Sequence, residues 1–197
     1  MRKSIGLIVV VVIAIILLMS GCGTYNSLVS SEEQVNEAWS QVENQYQRRA
    51  DLIPNLVATV KGYASHEERV LTRVTEARAR STGISIDADV LEDPEAFARF
   101  EAAQNELSQA LRQLLVVTEN YPNLKADQQF LALQSQLEGT ENRISVERRR
   151  FNTVVQGYNT QVRRFPANIF AGLFGFEQKQ YFRSEPGSEK APEVKFN

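Results

Sequence analysis

The stretch Val35-Asn-Glu-Ala-Trp39-Ser-Gln-Val42-Glu-Asn-Gln-Tyr46-Gln-Arg-Arg49-Ala-Asp-Leu-Ile53-Pro-Asn-Leu56-Val-Ala-Thr-Val60 decides the fold. Stepped in alternating fours and threes, its seam continues through Tyr63, Glu67, Val70 and Val74 to Ala77. Only Arg49 and Glu67 on that seam are neither apolar nor aromatic. A mean step near 3.5 residues is the period of a helix packed along partner helices, as in a coiled coil. Residues 31–80 are therefore expected to form one helix, ~75 Å long at about 1.5 Å per residue. Pro54 lies inside it. A proline there removes one amide bond and clashes one turn back, but the seam keeps its phase, so a kink is expected rather than an end. Two capping-box patterns accompany the seam: Ser30 with Glu33 at its start, and Ser65 with Glu68 just after Gly62. The second could divide the segment, and the unbroken phase favours one helix.

Downstream, residues 81–93 have no helical period and are expected to form a loop. Asp93-Pro94-Glu95 opens a second helix: Asp caps, Pro suits the first turn, and Glu complements the positive end. Its stripe is Phe97, Phe100, Gln104, Leu107, Leu111, Leu114, Val117 and Tyr121, and Pro122 stops it. A third helix begins near Asp127 and runs toward Pro166 through Phe130, Leu137, Ile144, Phe151 and Tyr158. Nothing alternates with period two over a useful length. The expected fold is all-α: an antiparallel bundle of three to four long helices. The Phe-rich run Asn168–Phe176 is either a short amphipathic helix touching lipid or a lid on the bundle. With helix 1 rising, helix 2 returning and helix 3 rising again, that run falls at the end far from the membrane, which favours the lid. Three segments follow: an anchor at 1–23, a bundle at 24–182 that begins with a polar tether over 24–31, and a polar, extended tail at 183–197.

Residues 1–23 form a basic start, an uncharged apolar run from Ile5 to Met19, then Ser20-Gly21-Cys22-Gly23. That is the pattern of a secretory signal, and the basic start keeps its own end in the cytoplasm. Leu18-Met19-Ser20-Gly21-Cys22 resembles a bacterial lipobox, which would cut the signal peptide after Gly21 and make Cys22 a lipid-attachment site. An uncut transmembrane helix is the competing reading, although the run is short for a span of about 20 residues. Both place the body outside the cytoplasmic membrane, in the cell envelope. The net charge is -2, and without Arg2 and Lys3 the basic count falls to 20 against 24 acidic residues. A mildly acidic body has no pull toward nucleic acid. Cys22 and His66 are single residues of their kinds, so no disulfide, thiolate metal site or His-rich zinc site is expected, and no other metal or cofactor is called for.

Several strings carry a resemblance to a known family. They are Gly23–Val29 (GTYNSLV), Ala38–Val42 (AWSQV), Gln47–Val57 (QRRADLIPNLV), Glu119–Lys125 (ENYPNLK), Leu137–Ile144 (LEGTENRI), Tyr158-Asn159 and Arg164-Phe165-Pro166. In this order the chain resembles the LemA family from residue 23 to about 182. The resemblance implies a membrane-anchored antiparallel helical bundle with no known enzymatic activity and a loosely defined envelope role. Members of the family usually keep an uncut transmembrane helix, and the lipobox-like setting of Cys22 departs from that.

Candidate functional residues are few. Arg49 stands on the seam of helix 1, where an unpaired charge is costly to bury. It is expected to pair with Glu141 on helix 3, or failing that with Glu138 or Glu119. Such a pair fixes helix register without necessarily adding stability. The alternative, an acid/base or metal cluster of Glu119, Glu138 and Glu141, lacks the Glu-x-x-His pattern of bundle metal sites, because residue 63 is Tyr. No nucleophile elbow, phosphate loop or HExxH string is present, so the chain is expected not to be an enzyme. Helix 1 exceeds the ~42 Å of helix 2. Val35, Trp39, Val42 and Tyr46 would then be an exposed interaction stripe, unless helix 3 or the tail covers them. From this come two expectations: a scaffold that contacts a second copy or an envelope membrane-protein complex, or a module that binds or shapes lipid through the anchor and Phe170–Phe176.

Overall fold

The structure, a computed structural model, describes residues 2–64, 66–84 and 88–183, the first of them up to residue 20 by backbone alone. It is all-helical, with helices α1 (Arg2–Tyr63), α2 (Glu68–Gly83), α3 (Pro94–Thr118), α4 (Pro122–Lys125), α5 (Gln128–Arg163) and α6 (Ala167–Phe174), and a 3-10 turn at Ala88–Leu91. The four long helices form an antiparallel bundle: α1 packs on α5 and α2, and α2 on α3.

Helix α1 passes through Pro54 without ending, as its seam requires. It is also helical through residues 24–31, so the expected tether and the Ser30 cap are not formed. The expectation of one helix over 31–80 is overturned. The chain reverses between Tyr63 and Glu68, where Ala64 N–H donates to the Val60 carbonyl (2.8 Å) and Glu67 N–H to the Ala64 carbonyl (3.1 Å). Buried Ala64 lets the reversal pack tightly. The proposed cap Ser65 lies outside the described residues, and His66 sits exposed in the turn rather than on a helix. The unbroken phase was misleading because the second arm reuses the same spacing: Leu71, Val74, Ala77 and Ser81 face back onto α1 and α3.

Asp93 caps α3 through carboxylate contacts to Glu95 N (2.8 Å) and Ala96 N (3.2 Å). Asp127 caps α5 at Phe130 N (2.8 Å). The loop before α3 is shorter than expected, since α2 reaches Gly83, and α3 ends at Thr118.

The extra reversal changes the parity of the bundle. α1 rises, α2 descends, α3 rises and α5 descends, so the chain leaves α5 at the end where α1 entered. Tyr63 Oη donating to Asp127 Oδ2 (2.9 Å) ties the far tip, and Ser31 Oγ donating to Gln161 Oε1 (2.6 Å) ties the entry end. The Phe-rich run is therefore not a lid at the far end.

Two apolar clusters fill the bundle. The one at the entry end gathers Leu28, Val35, Trp39, Phe97, Phe100, Phe151 and Tyr158. The one at the far tip gathers Ile53, Leu56, Val60, Leu71, Leu111, Leu114 and Phe130. A polar layer around Arg49 separates them.

Candidate functional site

Arg49 is 1% exposed. Its Nη1 donates to Glu141 Oε1 on α5 and to Ser108 Oγ on α3, both at 2.8 Å. Its Nη2 donates to Gln104 Oε1 (2.5 Å) and lies 3.4 Å from the Gln104 carbonyl. Gln104 Nε2 reaches the Ser81 carbonyl on α2 at 3.4 Å. One guanidinium thus links α1, α3 and α5 directly and α2 through Gln104, and its fork geometry suits several acceptors at once. The guanidinium carbon also lies 5.1 Å from the Tyr46 ring centroid, and burial pushes the Tyr46 hydroxyl up from its ordinary range.

Of the three carboxylates named as partners, the structure brings only Glu141 to Arg49. Glu138 is exposed and accepts from Gln134 Nε2 (3.0 Å), and Glu119 is exposed at the end of α3. Among the described residues no three His, Cys, Asp or Glu side chains converge. Gln104 and Ser108 were missed by sequence reading. Gln104 occupied an apolar stripe, which was the available signal.

The stripe Val35, Trp39, Val42 and Tyr46 is not exposed: relative accessibilities are 0–4%. The cover comes from α5, α3 and an extended strap over residues 176–183. Phe182 of the strap is 6% exposed and stacks on Trp39 at 5.9 Å between ring centroids, against Phe97 (5.1 Å) and Phe151 (5.5 Å). Two asparagines of α5, two turns apart, hold the strap backbone. Asn152 Nδ2 donates to the Phe182 carbonyl (2.9 Å) and its Oδ1 accepts from Phe182 N–H (3.0 Å). Asn159 makes the same pair with Lys179, both at 2.9 Å. Lys179 Nζ, 5% exposed, lies 2.5 Å from Glu92 Oε1 and 3.0 Å from Glu32 Oε1. Burial works to lower its pKa, but those two carboxylates raise it overall. Of the two expected covers, the third predicted helix, α5, is observed, joined by α3 and the strap; beyond Arg183 the expected tail lies outside the described residues.

Helix α6 lies against α1 and α5 at the entry end. A Cβ on Gly21 would sit 2.9 Å from Phe170 Cε1, so the Phe170 ring is seated on that glycine. Tyr25 meets Phe174 edge-on at 4.9 Å and Phe176 at 5.7 Å. The opposite face of α6 is bare: Ile169 is 59% exposed and Leu173 73%, with Phe165 next to them at 76%. Cys22 is exposed and within α1. Among the described residues no helix is long and apolar enough to cross a membrane. The run Ile5–Met19 is outside the described side chains.

The family model described as the LemA family matches residues 38–196. The chain is similar to Magnetosome protein MamQ 2 of Paramagnetospirillum magneticum, with 24% identity over 181 residues covering 84% of this chain and 66% of that protein. It is similar to Magnetosome protein MamQ of Magnetospirillum gryphiswaldense at 25% identity with the same coverage. Protein LemA of Metamycoplasma hominis aligns at 22% identity over 149 residues, 76% of this chain and 64% of that protein. The chain thus spans just under two thirds of the length of these relatives.

Proposed function

We propose that this chain, which belongs to the LemA family, is a non-catalytic, membrane-anchored protein of the cell envelope whose bundle sits on the outer face of its membrane through α6. The observation that carries this reading is the bare apolar face of α6 beside residues 21–25, where α1 leaves the anchor. A short helix with one apolar face lies in the interface plane, with that face at the headgroup boundary. Ile169 and Leu173, with Phe165 beside them, together expose enough apolar area to contribute roughly 3–5 kcal/mol on transfer out of water. The anchor, whether an acylated Cys22 or an uncut helix, holds the body at the bilayer, so α6 need only tilt the bundle.

Of the two roles read from the sequence, lipid contact now has the stronger support. The scaffold role loses the stripe Val35–Tyr46, which is covered. The names of the magnetosome relatives assign this chain no reaction.

The test uses the full chain in proteoliposomes carrying brominated lipid. The indole introduced by Leu173→Trp should be strongly quenched, while buried Trp39 in the unsubstituted chain should not. Equal, weak quenching of both proteins would show α6 facing water and would remove this reading.

A further inference from the structure

In a closed four-helix square each helix packs closely on two neighbours, and here the side between α3 and α5 is the loose one. Helices α2 and α5 flank α1, and α3 packs on α2, whereas α3 and α5 share core side chains without a close helix–helix seam. They are bridged by the Arg49 layer and by Arg148 Nη2 to Glu101 Oε1 at 3.2 Å. Toward the entry end Phe182 fills the gap. Toward the tip it stays open as a groove of about 530 Å³, continued by a hollow of about 390 Å³ that shares Ser108, Arg112 and Glu141.

The two ends of this groove differ in chemistry. Arg49, Arg112, Arg148, Arg149 and Arg183 line the end near the strap, against Glu141 in the lining and Glu101 behind it, which pairs with Arg148. Leu111, Leu115 and Leu137 line the other end, with Glu138 at its edge. Among the described residues Arg112 and Arg149 form no ion pair; the Arg149 guanidinium only donates to Ser145 Oγ (3.1 Å). Below them Arg49 Nε, fully buried, has no hydrogen-bond partner. The rim therefore holds cations in excess of local anions over an apolar and partly unsatisfied floor.

We infer that this open side is a docking groove for an acidic amphipathic helix of a partner protein, with leucine-type residues at one end and carboxylates at the other. A helix fits because the groove lies between two helices on a third, a hollow filled by a cylinder of about 10 Å diameter. From Leu137 to Asn152 the groove follows α5 for about 22 Å. Carboxylates fit because arginine forks take them bidentately, and the excess of cations selects against a basic or neutral segment. This inference stands apart from the α6 reading, since the groove opens on the side of the bundle.

The experiment uses the full chain in detergent and a fluorescent helical peptide of about 16 residues (~24 Å) with leucines at one end and glutamates at the other. Its twin carries glutamines in place of the glutamates. The acidic peptide should bind at least about tenfold tighter than the twin, and added salt should reduce the difference. Arg112→Glu with Arg149→Glu changes two exposed side chains, so helicity and melting should hold while the preference for the acidic peptide disappears. Failure of the acidic peptide to bind, or equal binding of both peptides, overturns the inference. So does unchanged binding to the doubly substituted chain. Sedimentation showing self-association that the two substitutions abolish would make a second copy the occupant, and would overturn it as well.

Discussion

The Arg49 layer predicts an asymmetry between its two charged members. Replacing Glu141 by Leu leaves a guanidinium that is 1% exposed without its counter-ion. Removing one partner of a buried pair costs about 3–5 kcal/mol. The Glu141 side chain is 42% exposed, and Gln104 and Ser108 still accept from the guanidinium, so the cost here falls to roughly 2–3 kcal/mol. Replacing Arg49 by Met instead removes the charge and keeps much of the volume. Glu141 then turns to water, and the main loss is the donor to buried Gln104 Oε1, about 1–2 kcal/mol, partly offset because no charge is left to bury. Thermal unfolding followed by far-ultraviolet circular dichroism reads the difference. At 2–4 °C per kcal/mol for a chain of this size, Glu141→Leu should lower the melting temperature by roughly 4–12 °C. Arg49→Met should lower it by less, and adding it to Glu141→Leu should recover part of the loss. If Arg49→Met is the more damaging change, or the double substitution is worse than either alone, the pair is a stabilising bridge and the desolvation argument is wrong.

Phe182→Ala should cost about 3–5 kcal/mol as a buried aromatic deletion. Asn159→Ala should instead raise hydrogen exchange across residues 176–183 while the far tip stays protected. Asp127 is held below the ordinary carboxylate range by the Phe130 amide and then by the Tyr63 hydroxyl. Its stabilisation is complete above the unfolded value and lost as pH falls through the folded one. The melting temperature of Asp127→Ala should therefore lie below the parent at pH 7, and the gap should close as pH drops beneath about 3.9. Intact mass of the chain extracted from membranes should separate the two anchors: cleavage before Cys22 plus acyl chains, or an uncut and unmodified chain.

Much of this architecture was legible because it rests on local patterns. The period of Val35–Val60 gave α1, Asp93-Pro94 and Asp127 gave two helix starts, and the misfit of Arg49 on an apolar seam pointed to Glu141. What failed was non-local. Val70 and Val74 kept phase across a reversal, because two arms of a helical hairpin facing one core need the same spacing as one straight helix. That single missed turn reversed the direction of every later helix and sent α6 to the wrong end. The strap was hidden because Lys179–Phe182 has no period of its own. Its register is set by Asn152 and Asn159 two turns apart on α5, and the asparagine Asn159 beside the seam residue Tyr158 was the sign available. Exposure of the Trp39 stripe was misjudged for the same reason, since part of its cover is Phe182, more than 130 positions away.

The seat of Phe170 on Gly21 makes the two fates of the anchor mechanically unequal. An uncut chain keeps that glycine, and α6 is clamped to a helix that continues into the bilayer, so body and anchor move as one lever. Cleavage after Gly21 takes the seat away and leaves the ring of Phe170 without its support at the moment acyl chains are added beside it. If such cleavage occurs, processing itself would decide whether α6 is clamped to the anchor helix or released from it.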